Sequence, residues 1–246
     1  MNGLMEIVLY SLRAILRTRF FWAWNGSLVL LCLCLNHITF FDFEENSLVP
    51  ELFSATLLLS GAANFIVYQL SGIREISLGQ WDLLILRPVT VAILVAGRLL
   101  AAMLFQGAVA LSLAAAYLLD SAWLGRQIQP GFWASWYVEL LQVSTLGAFY
   151  FLLSTRLNEL WGLFSMIGSY LLAQSSQLII YYISGKMSSL IFCVLPDLAM
   201  SAGRAGDDVP GMRVPFLLWR TAYCICYLAL MGYLSSLVLS RRLEKP

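Results

Sequence analysis

Glu75 and Asp82 stand seven positions apart in a polar island, Ser71-Gly-Ile-Arg-Glu-Ile-Ser-Leu-Gly-Gln-Trp-Asp-Leu-Leu-Ile-Leu-Arg-Pro88, flanked by two long apolar runs. On a continuous helix this spacing places both carboxylates on one face, where they can pair with basic groups of another protein. Gly79 is a weak point in any such helix. Ile73 and Ile76 form a short apolar edge before it, and Leu83–Leu86 follow it. Pro88 suits the first turn of the next helix. Charge held between two membrane-length apolar runs must lie at a membrane face. The island is too short for a domain, which leaves two readings: a solvated connection, or a docking element for something soluble.

A second set of polar residues lies inside the apolar runs. Ser60, Asn64 and Tyr68 recur every four positions, Ser135, Glu139 and Gln142 share a helical face, and Ser165, Ser169 and Ser176 share another, with Gln174 and Gln177 nearby. Hydrogen bonds between helices account for such residues at about 0.6–2 kcal/mol each. Glu139 is different in kind, because a carboxylate at depth is costly unless neutral, paired or hydrated. Arg220, in the last apolar run, is a candidate partner for it.

The elements that position these residues follow from composition. Hydrophobic residues make up 60% of the chain and charged residues 12%, with mean hydropathy +0.79. Soluble domains carry about 25% charge, so this composition belongs in lipid. A net charge of +1 gives no basis for binding nucleic acid. Six runs reach the ~20 apolar residues that a membrane helix needs: 20–41, 51–70, 89–119, 132–153, 160–183 and 216–240. Their continuity favours helices over alternating barrel strands. The expected fold is all-α: a polytopic membrane protein with six transmembrane helices, in a single domain over 1–246. The third run exceeds the bilayer and should tilt or project.

Arg13, Arg17, Arg19, Arg74, Arg87, Arg98, Arg156, Arg241, Arg242 and Lys245 fall on one side of this layout. The other side holds Arg126, Lys186, Arg204, Arg213 and Arg220 with most of the acids. The excess of positive charge places both termini and the 71–88 segment in the cytoplasm. The first apolar run starts late and lacks a cleavage pattern, which reads as a retained span.

Residues 1–19 read as an amphipathic helix lying in the interface with membrane lipid. Leu4, Met5, Val8, Leu12, Ile15 and Leu16 form its apolar stripe, opposite Glu6, Arg13 and Arg17. The 184–215 segment contains an apolar stretch, Leu190–Leu195, too short to span; a re-entrant or lid segment is expected on the outer side.

Other chemistry finds little support. Cys32/Cys34 and Cys224/Cys226 project from different helix faces and, with Cys193, read as small apolar fillers. His37 is the single histidine, so a zinc triad cannot be assembled, and it alone could serve as the base for a serine nucleophile. No catalytic or metal site is expected. A phosphate-cradling loop would read Gly-x-x-x-x-Gly-Lys-Ser/Thr; Gly185-Lys186-Met187 lacks both the upstream glycine and the hydroxyl.

The stretch Ile73–Thr90, with Gly97-Arg98 beyond it, resembles the membrane subunits of ABC-2-type exporters, most of all the small bacterial permeases. The motif covers about 30 residues, and the layout nearly the whole chain. The resemblance implies an exporter permease in the bacterial inner membrane, acting as a dimer with a second permease subunit, and not itself an enzyme. The 71–88 segment would be a cytoplasmic coupling helix seated in a separate ABC ATPase subunit, which binds ATP and Mg. Arg74, Glu75, Gly79, Trp81, Asp82 and Arg87 would lie at that contact, with Trp81 and the leucines supplying more of the affinity than the rim charges. Asn64 and Ser169 become pathway candidates through the resemblance, beside Glu139 and Gln174. The alternatives are an ATP-independent secondary transporter or scramblase, and a structural membrane anchor. No internal repeat of the kind common in secondary carriers is visible.

Overall fold

The computed structural model describes residues 2–35, 45–77, 90–125, 128, 132–174 and 213–243. These residues form helices α1 (Asn2–Arg17), α2 (Arg19–Cys34), α3 (Glu45–Ser77), α4 (Val91–Trp123), α5 (Phe132–Arg156), α6 (Glu159–Gln174) and α7 (Arg213–Leu243), with no strand among them. Four stretches are long and apolar enough to cross a membrane: Leu52–Gly72, Val91–Trp123, Phe132–Arg156 and Val214–Arg241. Arg19–Cys34 and Leu160–Leu172 are shorter apolar helices. At 33 residues each, α3 and α4 are about 50 Å long at 1.5 Å per residue, well beyond a hydrocarbon core of about 30 Å. Accordingly α3 continues past the expected boundary at residue 70, and 71–77 form its last two turns.

Contacts between helices reveal their directions. Ser54 meets Glu139 and Ser154 meets Gln69, so residue numbers rise together and α3 runs parallel to α5. Tyr137 meets Thr221, and Cys224 meets Leu141, which makes α7 parallel to both. Numbers run in opposite senses where Asn64 meets Gln106 and Glu75 meets Arg98, so α4 is antiparallel to α3. Only Leu157 and Asn158 separate α5 from α6, so α6 folds back antiparallel to α5, and Tyr150 donates to the Met166 carbonyl across that hairpin. The end of the bundle that carries α1 therefore collects Arg19, Ser77, Val91, Arg156, Glu159 and Leu243.

At the centre stands α5. Of its most apolar stretch, 78% is buried, against 28% for that of α7. Small residues let α3 close on it. A side chain at Gly61 would overlap Val143, and one at Gly147 would overlap the Phe65 ring. Each glycine thus receives the bulky residue of the opposite helix, four positions apart on both, and the backbones approach closely.

Exposed tryptophans mark both ends of the bundle. Trp22 and Trp161 lie toward the α1 end, and Trp123, Trp133 and Trp219 toward the far end. Tryptophan at both rims of an apolar bundle matches the interface belts of membrane proteins. From Trp133 to Arg156 along α5 is about 35 Å at the standard helical rise, enough to cross the apolar core.

Three arcs run along α1. Ile7, Val8, Ser11 and Ile15 are buried against the bundle; Met5, Leu9 and Leu16 are exposed and apolar; Glu6, Arg13 and Arg17 are exposed and charged. The expected stripe is thus divided. Val8 and Ile15 turn inward, while Leu4, Met5 and Leu16 stay outside. Gly97 of α4 explains the rotation: a Cβ there would lie 2.7 Å from Ile7 Cγ2, so the missing side chain is the notch that receives Ile7. Ile7 joins Leu94, Val95, Leu99, Phe151 and Leu239 in one apolar cluster.

Candidate functional site

Three polar nodes are spaced along α3. The first lies where the last turns of α3 meet the first turns of α4. Arg98 projects from α4 into the bundle, with its side chain 4% exposed, and donates from Nη1 to Glu75 Oε2, whose side chain is 20% exposed. The guanidinium carbon lies 5.2 Å from the Tyr68 ring centroid, a cation–π distance. The Tyr68 hydroxyl donates to the Arg98 carbonyl at 3.2 Å. A Cβ on Gly72 would lie 3.1 Å from Arg98 Nη2, so that glycine leaves room for the guanidinium. Next to Arg98, Gly97 seats α1. One node therefore ties α1, the last turns of α3 and the first turns of α4.

Mid-bundle, the second node joins α2, α3 and α4 through carboxamides. Its polarity is set from one fixed point. The Phe21 carbonyl can only accept, and Asn25 Nδ2 donates to it at 2.8 Å. Asn25 Oδ1 must therefore accept, and it does so from Ser60 Oγ at 3.2 Å and from Asn64 Nδ2 at 3.0 Å. Asn25 Nδ2 also donates to Asn64 Oδ1 at 3.1 Å. Asn64 Nδ2 then donates onward to Gln106 Oε1 at 3.0 Å. Every amide orientation follows from the one before. The chain ends at Gln106 Nε2, buried and without a hydrogen-bond partner among the described residues.

The third node lies toward the far end. Ser54 of α3 donates to Glu139 Oε1 of α5. Glu139 is buried, and its Oε2 has no hydrogen-bond partner among the described residues. Arg220 is also buried; its guanidinium lies over the Phe216 ring at 5.4 Å. Between α5 and α7, the Tyr137 and Thr221 hydroxyls are 2.8 Å apart.

Asn64, Glu139 and Ser169, named from the sequence as pathway candidates, are all buried. They do not converge. Asn64 and Ser54, which mark the second and third nodes on α3, are about 15 Å apart along the helix axis. Ser169 Oγ donates to the Met166 carbonyl of its own helix at 2.9 Å. Glu75 faces Arg98 within the chain. Gly79, Trp81, Asp82, Arg87 and His37 lie outside the described residues, as do the side chains of Arg74 and Gln174 and, of the 184–215 segment, all but its last three residues, which begin α7. Cys32 and Cys224 are buried while Cys34 and Cys226 are exposed, which separates the members of each pair as their spacing requires. Among the described residues, no group of three or more His, Cys, Asp or Glu could hold a metal ion.

Sequence reasoning named Ser60, Asn64 and Tyr68 from their four-residue repeat. It gave no role to Asn25, Gln106 or Arg98 as their partners. Each is a lone polar residue in an otherwise apolar run, which is itself the available signal.

No protein-family model matches the chain, and no curated protein does either.

Proposed function

We propose that this chain is the membrane permease subunit of an ATP-driven ABC-2-type exporter, with six spans, α2 to α7. In this reading α2 and α6 cross the membrane together with the four longer helices, and the α1 end faces the cytoplasm. Exposed Arg13, Arg17, Arg19, Arg156 and Arg241 all belong to that end, which agrees with the inside-positive rule. The protein works as a dimer in the inner membrane, because one six-helix unit supplies half of a pathway of this kind. A separate cytoplasmic ATPase supplies the energy.

The observation that carries the reading is the Glu75–Arg98 pair. It braces both arms of the hairpin that holds the 78–89 segment and joins them to α1 and α4. A push that reaches the last turns of α3 would pass to the carboxamide node through Tyr68 and α4. Glu75 then acts as an internal brace, and contact with the motor falls to Trp81, Asp82 and the leucines. Co-expression with an ABC ATPase encoded beside the chain, followed by reconstitution, tests this. The pair should hydrolyse Mg-ATP and move substrate, and Asp82→Arg should uncouple the two. An isolated chain that transports without nucleotide would defeat it.

Glu139 favours a second reading, an ATP-independent carrier. A carboxyl with a free oxygen inside an apolar span is a common element of proton-coupled transport. Transport driven by a pH gradient alone, and lost in Glu139→Gln, would select this reading.

A further inference from the structure

The carboxamide relay ends on an unmet donor, and a cavity lies against it. Gln106 and Asn64 line this space together with Ile15 of α1, Phe65 and Tyr68 of α3, and Ala102 and Phe105 of α4. Its volume open to the centre of a water molecule is about 10 Å³, the size that admits one water. Buried N–H groups are nearly always satisfied by protein or by ordered water. Gln106 Nε2 has no partner among the described residues and cannot exchange places with Oε1, because Asn64 Nδ2 donates to that oxygen.

We propose that this cavity is a binding site for a single resident water, which accepts from Gln106 Nε2 and completes the Asn25–Ser60–Asn64–Gln106 relay. Asn64 Oδ1 and the Tyr68 hydroxyl oxygen, both on lining residues, retain lone pairs to accept the water's hydrogens. The ligand class is a hydrogen-bond acceptor no larger than water or one hydroxyl group. Ile15 makes the α1 wall of the site. The inference stands on the bundle alone and holds whatever the protein transports.

Threonine and valine at position 102 separate a wet site from a dry one. They are near-isosteres, and Ala102 lines the cavity. Threonine brings an oxygen to replace the water; valine displaces it and leaves Gln106 unmet. In the purified protein, A102T should melt about 2–4 °C above A102V, the shift expected for one hydrogen bond in a chain of this size. In a Gln106→Leu background the order should vanish or reverse. Valine equal to or above threonine in the native background means that the cavity is dry and the proposal is wrong. An experimental structure of the unaltered protein that resolves waters gives an independent check. Density within about 3.2 Å of Gln106 Nε2 supports the site, and its absence overturns it.

Discussion

Arg98 and Glu75, 23 positions apart in sequence, form an ion pair that joins the two arms of the α3–α4 hairpin. The two partners are unequally placed, since the Arg98 side chain is 4% exposed and that of Glu75 is 20% exposed. Removing one member of a buried pair costs about 3–5 kcal/mol, because the other charge is stranded. Glu75→Ala removes the carboxylate to which the more deeply buried partner donates and should lower the thermal midpoint. Glu75→Ala with Arg98→Leu removes both charges and should recover part of that loss. Thermal unfolding of the two variants in detergent decides the matter. A double variant less stable than the single would show that Arg98 matters for its packing on Tyr68 rather than for its charge.

Close approach of α3 and α5 depends on Gly61 and Gly147. A methyl group at either position overlaps Val143 or Phe65, and overpacking of this kind costs about 1–3 kcal/mol. Gly61→Ala should therefore destabilise the bundle, and adding Val143→Ala should restore most of the loss. Gly107 has nothing within 4 Å of a built Cβ, so Gly107→Ala is the neutral control. The expected order of melting midpoints is Gly107→Ala above the Gly61→Ala/Val143→Ala pair, and that pair above Gly61→Ala alone.

Apolar runs fixed the places of the helices, since burying backbone in lipid demands continuous hydrogen bonding. Their ends were less legible. Hydropathy reports where the chain prefers lipid, while α3 keeps its helix through the charged turns at 71–77 because Glu75 finds Arg98 there. The rotation of α1 was also hidden. Its sequence offers two apolar arcs, and only the notch at Gly97, some ninety residues away, decides which one faces protein. The same distance in sequence explains the carboxamide node. The Ser60–Asn64–Tyr68 repeat reveals one wall, but the opposing Asn25 and Gln106 have no periodic signature of their own.

Topology offers a direct check on the six-span proposal. In a variant lacking the native cysteines, single cysteines at Trp81 and at Asp42 should react with an impermeant thiol reagent from opposite sides of the membrane. Trp81→Cys should label only in inverted vesicles and Asp42→Cys only in intact cells. Labelling of both from one side would remove a span between them and with it the coupling role of the 71–88 segment.

Glu139 and Ser54 allow the buried carboxyl to be examined apart from its bond. Glu139→Gln keeps an oxygen to accept from Ser54, and its size is unchanged. Ser54→Ala takes away the hydrogen bond that Glu139 receives from Ser54 and should cost about 1–3 kcal/mol, the penalty for a buried polar group left unmet. If Glu139 bears charge in the folded bundle, its bond to Ser54 is charge-assisted and stronger than one to an amide. Ser54→Ala should then cost less in the Glu139→Gln background than in the native one. The double-mutant cycle, read by thermal unfolding, measures that difference directly. A coupling near zero would make the carboxyl equivalent to an amide at this position, a packing element between α3 and α5. A clear coupling, joined to loss of pH dependence of transport in Glu139→Gln, would mark Glu139 as a group that changes charge during the transport cycle.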